Sequence, residues 1–210
     1  MWYTPVSGIW QTVWLESVGE KFIRELNVET GSDFASIDTG DETLFGTVSV
    51  ETPQGTLRVP LENGRARVAL EAPRFWSPDA PYLYRFTVET AEDCVRSYFA
   101  LRTLETRVVD GVPRLCLNGR PYFFNGLLDQ GYWSDGLFTP ASSACYARDI
   151  LMAKRLGFNM LRKHIKVEPQ RFYYECDRLG MIVFQDMVNN GGYSFLRDTA
   201  LPTLGLKRLP

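Results

Sequence analysis

Residues 142–184 read SSACYARDILMAKRLGFNMLRKHIKVEPQRFYYECDRLGMIVF. Tyr146, Ile150, Ala153 and Leu156 recur in them at helical spacing and form one apolar face. Ser142 or Ser143 is placed to cap the start of that helix, and Gly157 stands where a left-handed C-terminal cap is needed. Phe158–Ile165 then reads as a strand. Pro169 suits the first turn of a second helix, with Phe172, Cys176 and Leu179 on its inner face and Gly180 ending it. Met181-Ile182-Val183-Phe184 is an unbroken apolar run, as expected of a parallel strand covered on both faces. Upstream, Val112–Phe124 reads as a hairpin turned at Asn118-Gly119 and leading into a buried strand. The order is β-α-β-α-β with short connections, which implies parallel strands joined by right-handed crossovers. A closed (β/α)₈ barrel takes about 250 residues. Three strands and two helices form only an incomplete α/β segment of that kind.

Residues 16–103 follow a different grammar. Leu26 and Val28 flank Asn27, and Val48 and Val50 flank Ser49. Leu57, Val59 and Leu61 alternate with Arg58 and Pro60; after Asn63-Gly64, Ala66, Val68 and Leu70 resume the alternation. Alternation on both sides of Asn-Gly predicts a two-residue hairpin. Pro60 confines its strand to an edge or a bulge. Tyr82, Tyr84, Phe86 and Val88 make a further period-2 set, and Tyr98–Leu101 another. Short strands with Gly/Pro punctuation and no helical period predict an all-β sandwich of about 90 residues. Trp10, Trp14 and Trp76 are assigned to sandwich core and interdomain packing. The tail, residues 191–210, has no clear period.

Composition narrows the function classes. Hydrophobic residues at 45% against 23% charged describe a globular chain, not a disordered one. Twenty-three Lys+Arg against 25 Asp+Glu leave a net charge of −2, without the basic excess of a nucleic-acid binder. No apolar run approaches the ~18–20 residues of a membrane span, so neither nucleic acid nor membrane is an expected partner. Met1–Pro5 holds no basic region or apolar core of the kind that opens a signal peptide. Cys94, Cys116, Cys145 and Cys176 form no C-x-x-C pair. They read as core residues in a reducing setting, which favours the cytoplasm and leaves localisation otherwise open. His164 is the one histidine, which excludes a multi-histidine zinc site.

With these segments in place the chain resembles an internal part of glycoside hydrolase family 2, the family of β-galactosidases, β-glucuronidases and β-mannosidases. Ser7–Leu15 is similar to the closing strand of the family's N-terminal sugar-binding domain. Trp76-Ser77-Pro78, Pro81 and Leu83-Tyr84 resemble the late strands of its immunoglobulin-like domain. Phe99-Ala100-Leu101-Arg102 resembles its Phe-Gly-Leu/Ile-Arg, with Ala100 in place of glycine. Leu117–Pro121 with Asn125-Gly126 looks like the opening of its TIM barrel. Asp149, Lys154, Gly157-Phe158-Asn159, Arg162, His164, Cys176-Asp177, Leu179-Gly180 and Val183 continue the match. Two departures stand out. His164 comes one residue early and Pro169 late against the family's Asn-x-x-Arg-x-Ser-His-x-Pro, and the third strand ends Gln185-Asp186 where the family often has Asp-Glu. The resemblance implies three parts: 1–15 the end of the sugar-binding domain, 16–103 the immunoglobulin-like sandwich, and 104–210 the first part of the barrel.

It also implies a retaining hydrolase of β-linked sugars, β-galactosidase-like. Such an enzyme needs two carboxyl groups about 5–5.5 Å apart. In the family the acid/base glutamate follows an asparagine on the fourth barrel strand, and the nucleophile ends the seventh. The sequence has no Asn-Glu dipeptide. The expectation is therefore no catalytic residue in this chain, both glutamates beyond Pro210, and no turnover by the chain alone. Its contribution is to substrate binding. Arg162 and His164, two apart on one strand, share a face; Arg162 would hold the nucleophile carboxylate and His164 a sugar hydroxyl. Asp129 and Trp133, in the stretch that also holds Gln130 and Tyr132, offer an acid and an aromatic platform to a sugar. Asp186 would bind sugar or a neighbouring strand. No metal ligand and no cofactor are assigned in the chain, and a divalent metal in the parent enzyme stays open. Exposed strand edges favour self-association into a homo-oligomer or disorder in the C-terminal half. Two alternatives come from other classes: a non-catalytic β-sandwich module that binds carbohydrate or a partner, and an independent α/β enzyme using His164 as general base.

Overall fold

The computed structural model describes Thr4 and residues 6–187. The predicted irregular tail, 191–210, lies outside the described residues. Contacts divide the described residues into two units, one built on 12–124 with 177–180, the other on 6–11, 125–176 and 181–187. The sequence reading opens the second part at 104; the contact division falls after Phe124.

In the first unit, β1 (Asn27–Thr30), β2 (Phe34–Asp38), β3 (Gly46–Thr52), β4 (Gly55–Leu61), β5 (Arg65–Ala69), β6 (Tyr84–Thr90) and β7 (Cys94–Phe99) form two antiparallel sheets, ordered β1-β2-β5 and β4-β3-β6-β7. Their alternate residues make one core: Ala35 and Ile37, Val48 and Val50, Ala66 and Val68, Tyr84, Phe86 and Val88. This is the predicted sandwich. Trp76 is buried, and its N–H donates to the Leu101 carbonyl at 2.7 Å. A further three-stranded sheet, β8 (Leu104–Val109), β9 (Val112–Leu117) and β10 (Arg120–Pro121), includes the hairpin read at Asn118-Gly119.

Three expectations for the residues before β6 need correction. The Asn63-Gly64 turn forms, with φ of 49° and 72° and the two Glu62–Arg65 backbone bonds at 2.9 and 3.0 Å. Beyond that single bridge its strands part: β4 pairs with β3 and β5 with β2, so the turn joins two sheets. Pro60 supplies the reason. With β3 on one side, a true hairpin would make β4 a central strand, where proline is excluded; β4 is instead the edge. Second, residues 6–26 contain no strand, so Ser7–Leu15 does not close a sheet here. A strand needs a partner for its backbone groups, and none of the described strands pairs with this stretch. Third, and in consequence, Trp14 is 65% exposed and is not core, its indole N–H donating to Glu16 at 2.7 Å.

In the second unit, β11 (Gly126–Asp129), α1 (Ala144–Arg155), β12 (Met160–Lys163), α2 (Gln170–Leu179) and β13 (Ile182–Gln185) make the predicted β-α-β-α-β. The strands are parallel and lie in chain order, with Asp129 level with Lys163 and Lys163 level with Gln185. Tyr146, Ile150 and Ala153 are the buried face of α1, whereas Leu156 is 66% exposed. Leu156 is the C-cap: the Gly157 N–H bonds to the Lys154 carbonyl at 2.9 Å and the Phe158 N–H to that of Ala153 at 3.0 Å. That is the Schellman closure, in which glycine adopts the left-handed turn; here Gly157 has φ +89°. Met181 repeats it at the end of α2 with a 2.8 Å bond to Cys176. The strand read as Phe158–Ile165 is shorter, because Ile165 turns out of it at φ +58°.

Candidate functional site

Side chains alternate across a strand, and this divides the C-terminal ends of β11, β12 and β13 into two groups. Leu161 and Lys163 point to the buried side and Arg162 to the exposed side. The parallel ladder continues past the strand ends: the Asp186 N–H donates to the Lys163 carbonyl, and the His164 N–H to that of Asp129, both at 2.9 Å.

Arg162, His164 and Asp186 meet. Arg162 Nη2 donates to Asp186 Oδ2 at 2.7 Å and Nε to Oδ1 at 3.3 Å, and His164 Nδ1 lies 2.6 Å from Oδ2. The Arg162 hydrogen bond first, then that of His164, holds the Asp186 carboxyl below its usual range. An ionised carboxylate only accepts, so Nδ1 carries the proton. That leaves Nε2 as an acceptor in the neutral ring and a donor in the imidazolium. A fixed guanidinium and an oriented imidazole at adjacent strand ends suit a polar, hydroxyl-rich or anionic ligand.

Asp129 and Trp133 belong to the other group. Asp129 Oδ1 accepts from the Gly131 N–H at 2.8 Å, and Oδ2 from Lys163 Nζ at 2.8 Å. Lys163 also donates to Glu168 Oε1 at 2.8 Å, and its ammonium lies 4.3 Å from the Phe172 ring centre. Glu168 Oε2 takes Lys166 at 3.0 Å and the Tyr146 hydroxyl at 3.4 Å. Lys163, Lys166 and Glu168 are buried. Burial pushes the Lys166 ammonium below its ordinary value, and burial, followed by the Glu168 charge, pushes the Tyr146 hydroxyl up. Trp133 packs edge-on to Tyr146 at 5.7 Å, and its Nε1 is buried with no hydrogen-bond partner among the described residues. It lines a cavity of about 200 Å³ with Leu127, Tyr146, Ile150, Leu161 and Phe172.

The structure thus gathers three of the five predicted site residues and sets the other two, both half-buried, around the buried Lys163, Lys166 and Glu168. Sequence reasoning missed Lys163, Glu168 and Lys166. The signal was there for Lys163: two residues from Leu161 on a strand, it shares the buried face and demands an acid. Among the described residues no group of three His, Cys, Asp or Glu side chains is placed to hold a metal, and no helix is long and apolar enough to cross a membrane.

Comparison with known proteins adds to this geometry. Residues 25–102 match Glycosyl hydrolases family 2. The chain is 32% identical over 122 residues to a beta-galactosidase of Aeromonas hydrophila, covering 55% of this chain and 11% of that protein. It is 28% identical over 121 residues to a beta-galactosidase of Pseudoalteromonas haloplanktis, again 55% and 11%. The chain therefore spans about a tenth of the length of these relatives. Among solved structures, a beta-glucuronidase of Faecalibacterium prausnitzii superposes with a TM-score of 0.67 at 20% identity, over 78% of this chain and 27% of that one. A beta-galacturonidase from Eisenbergiella tayi, solved with galacturonate, gives 0.60 at 19% identity over 80% and 33%. At these identities the structural likeness establishes a shared fold.

Proposed function

We propose, from a chain that belongs to glycosyl hydrolases family 2 through residues 25–102, that it forms the scaffold and one pocket wall of a retaining glycoside hydrolase acting on β-linked sugars. The preferred substrate class is β-galactosides, in line with the two β-galactosidases above. The α/β unit is the opening of a TIM barrel, whose active sites gather at the C-terminal ends of the strands. The observation that carries the reading is the convergence of Arg162, His164 and Asp186 at that end of β12 and β13. In this reading Asp186 aims both side chains. The Arg162 guanidinium keeps a nearby nucleophilic carboxylate ionised, and His164 Nε2 meets a sugar hydroxyl. The reacting acid and nucleophile are two glutamates outside these 210 residues.

The test is hydrolysis of an aryl β-galactoside and an aryl β-glucuronide by this chain alone and by the complete protein its gene encodes. The reading expects turnover of the galactoside by the complete protein, none by the chain alone, and a fall in kcat for Arg162→Met in the complete protein. Turnover by the isolated chain, or an inert complete protein, refutes it. Preference for the glucuronide refutes the galactoside assignment alone.

A further inference from the structure

The connection from β11 to α1, residues 130–143, carries Tyr132 and Trp133, and one side chain from the next loop holds its base. Lys166 is 2% exposed, and its ammonium has three acceptors: the Gly131 carbonyl at 2.6 Å, the Phe138 carbonyl at 2.6 Å and Glu168 Oε2 at 3.0 Å. An ammonium has three protons, so its donors are fully used. The two carbonyls stand on opposite limbs of the connection. Between them, Trp133 and Leu137 exchange backbone bonds at 2.8 and 3.1 Å and close the tip. The Trp10 and Phe138 rings lie 4.9 and 5.4 Å from the same nitrogen, and cation–π attraction adds to its fixation. Gly131 has φ +60°, and a Cβ there would overlap Glu168 Oε1. The limb is therefore seated directly against the buried charges, with no room for a side chain.

Glu168 ties this pin to the sheet. Its other oxygen binds Lys163 at the end of β12, and Lys163 binds Asp129 at the end of β11. Two cations and two anions balance in this cluster. We propose that Lys166 is a positioning residue, its ammonium pinning both limbs of the 130–143 connection and so setting where Tyr132 and Trp133 stand beside the C-terminal end of the sheet. The use of those two side chains as a sugar platform rests on the function proposed above; the pin itself does not.

The test compares this chain with Lys166→Met and with the double variant Lys166→Met/Glu168→Gln, by amide hydrogen exchange and by NMR of the Trp133 indole N–H. Met keeps the bulk and apolar stem but leaves two carbonyls without a donor. Exchange across 130–141 is expected to rise about tenfold or more, as loss of such bonds frees a local segment. The β11–β13 and sandwich amides keep their protection, and the Trp133 resonance loses the ring-current shift from Tyr146. The double variant restores charge balance without restoring donors, so the connection stays labile. Protection that is unchanged in Lys166→Met, that returns in the double variant, or that is lost evenly across the α/β unit overturns the proposal. None of these readouts involves sugar, so a failed glycosidase assay leaves the result standing.

Discussion

Arg162 and Lys163 are consecutive cations on one strand, each paired with carboxylate, and they give a direct test of how the sheet divides its charges. Lys163 is 1% exposed in its side chain and binds Glu168, at 0%, and Asp129, at 28%. Removing one partner of a buried pair leaves an uncompensated charge and costs about 3–5 kcal/mol. Two features of the site place Lys163→Met near the lower end of that range. Glu168 keeps Lys166 at 3.0 Å, and Asp129 is open enough for water to take the place of Lys163. The expected loss is about 3 kcal/mol, which for a chain of this length lowers Tm by about 6–12 °C. Arg162 is 52% exposed and pairs with a part-exposed Asp186. Exposed pairs add little to stability, so Arg162→Met should leave the urea midpoint where it is. The assay is urea unfolding of both variants followed by near-UV circular dichroism, with m-values compared to confirm that the same surface is exposed. Equal losses from the two substitutions would refute the assignment of Lys163 to a buried network and Arg162 to a ligand-facing one.

Three further outcomes follow from particular residues. Because Arg162 and His164 hold the Asp186 carboxyl below 3.8, this group contributes stability that is present above that value and lost as pH falls through its lower folded midpoint. Carbonyl-detected NMR should find that midpoint below 3.8 in the parent chain and shifted upward in Arg162→Met; an unmoved midpoint contradicts the pairing. Ile165 is β-branched at φ +58°, a conformation costing about 1–3 kcal/mol outside glycine. Ile165→Gly should therefore leave stability unchanged or raised by up to about 1 kcal/mol by urea unfolding, after the entropy cost of glycine, and a clear loss would contradict the strain. At Gly46 an added Cβ meets the Glu89 carbonyl oxygen across the β3–β6 pair. Gly46→Ala should cost about 1–3 kcal/mol in the same measurement, and a neutral result would mean that the two strands are farther apart.

How much of this was legible depended on whether one residue type admits only one answer. Gly157 and Gly180 end helices because the left-handed cap nearly requires glycine, and both helices stop there. The alternation of Tyr84, Phe86 and Val88 has one buried face whichever strands lie alongside, so the strand was readable and its neighbours were not. The same ambiguity misread Asn63-Gly64: the turn type is local, but whether its strands stay paired is decided by β3 and β2 competing for the two edges. Pro60, which confines its strand to an edge or a bulge, held the answer: β4 is the edge. Asp110-Gly111, with φ of 52° and 76°, turns β8 into β9 and carries the same hairpin signal as Asn-Gly. Leu156 fits the helical spacing but falls one residue past the last turn, where the face no longer points at the sheet.

The candidate site was legible along strands and illegible across them. Arg162 and His164 could be placed on one face because the two-residue period is fixed by the backbone. Asp186 joined them only through the register of β13 on β12, a pairing the sequence does not state. Asp129 reads as a site acid because it stands in one stretch with the aromatic pair Tyr132 and Trp133. The register puts it level with Lys163, which shares the buried face with Leu161. Asp129 therefore serves a cation that must be neutralised. Asp129 is the last residue of β11 and faces a buried lysine, whereas Asp186 stands one residue past β13 and turns to Arg162 and His164; the difference is one residue of pleat. Asp186 therefore stands with Arg162 and His164 in the proposed site, whereas Asp129 is engaged by Lys163 and by the Gly131 N–H of the following connection.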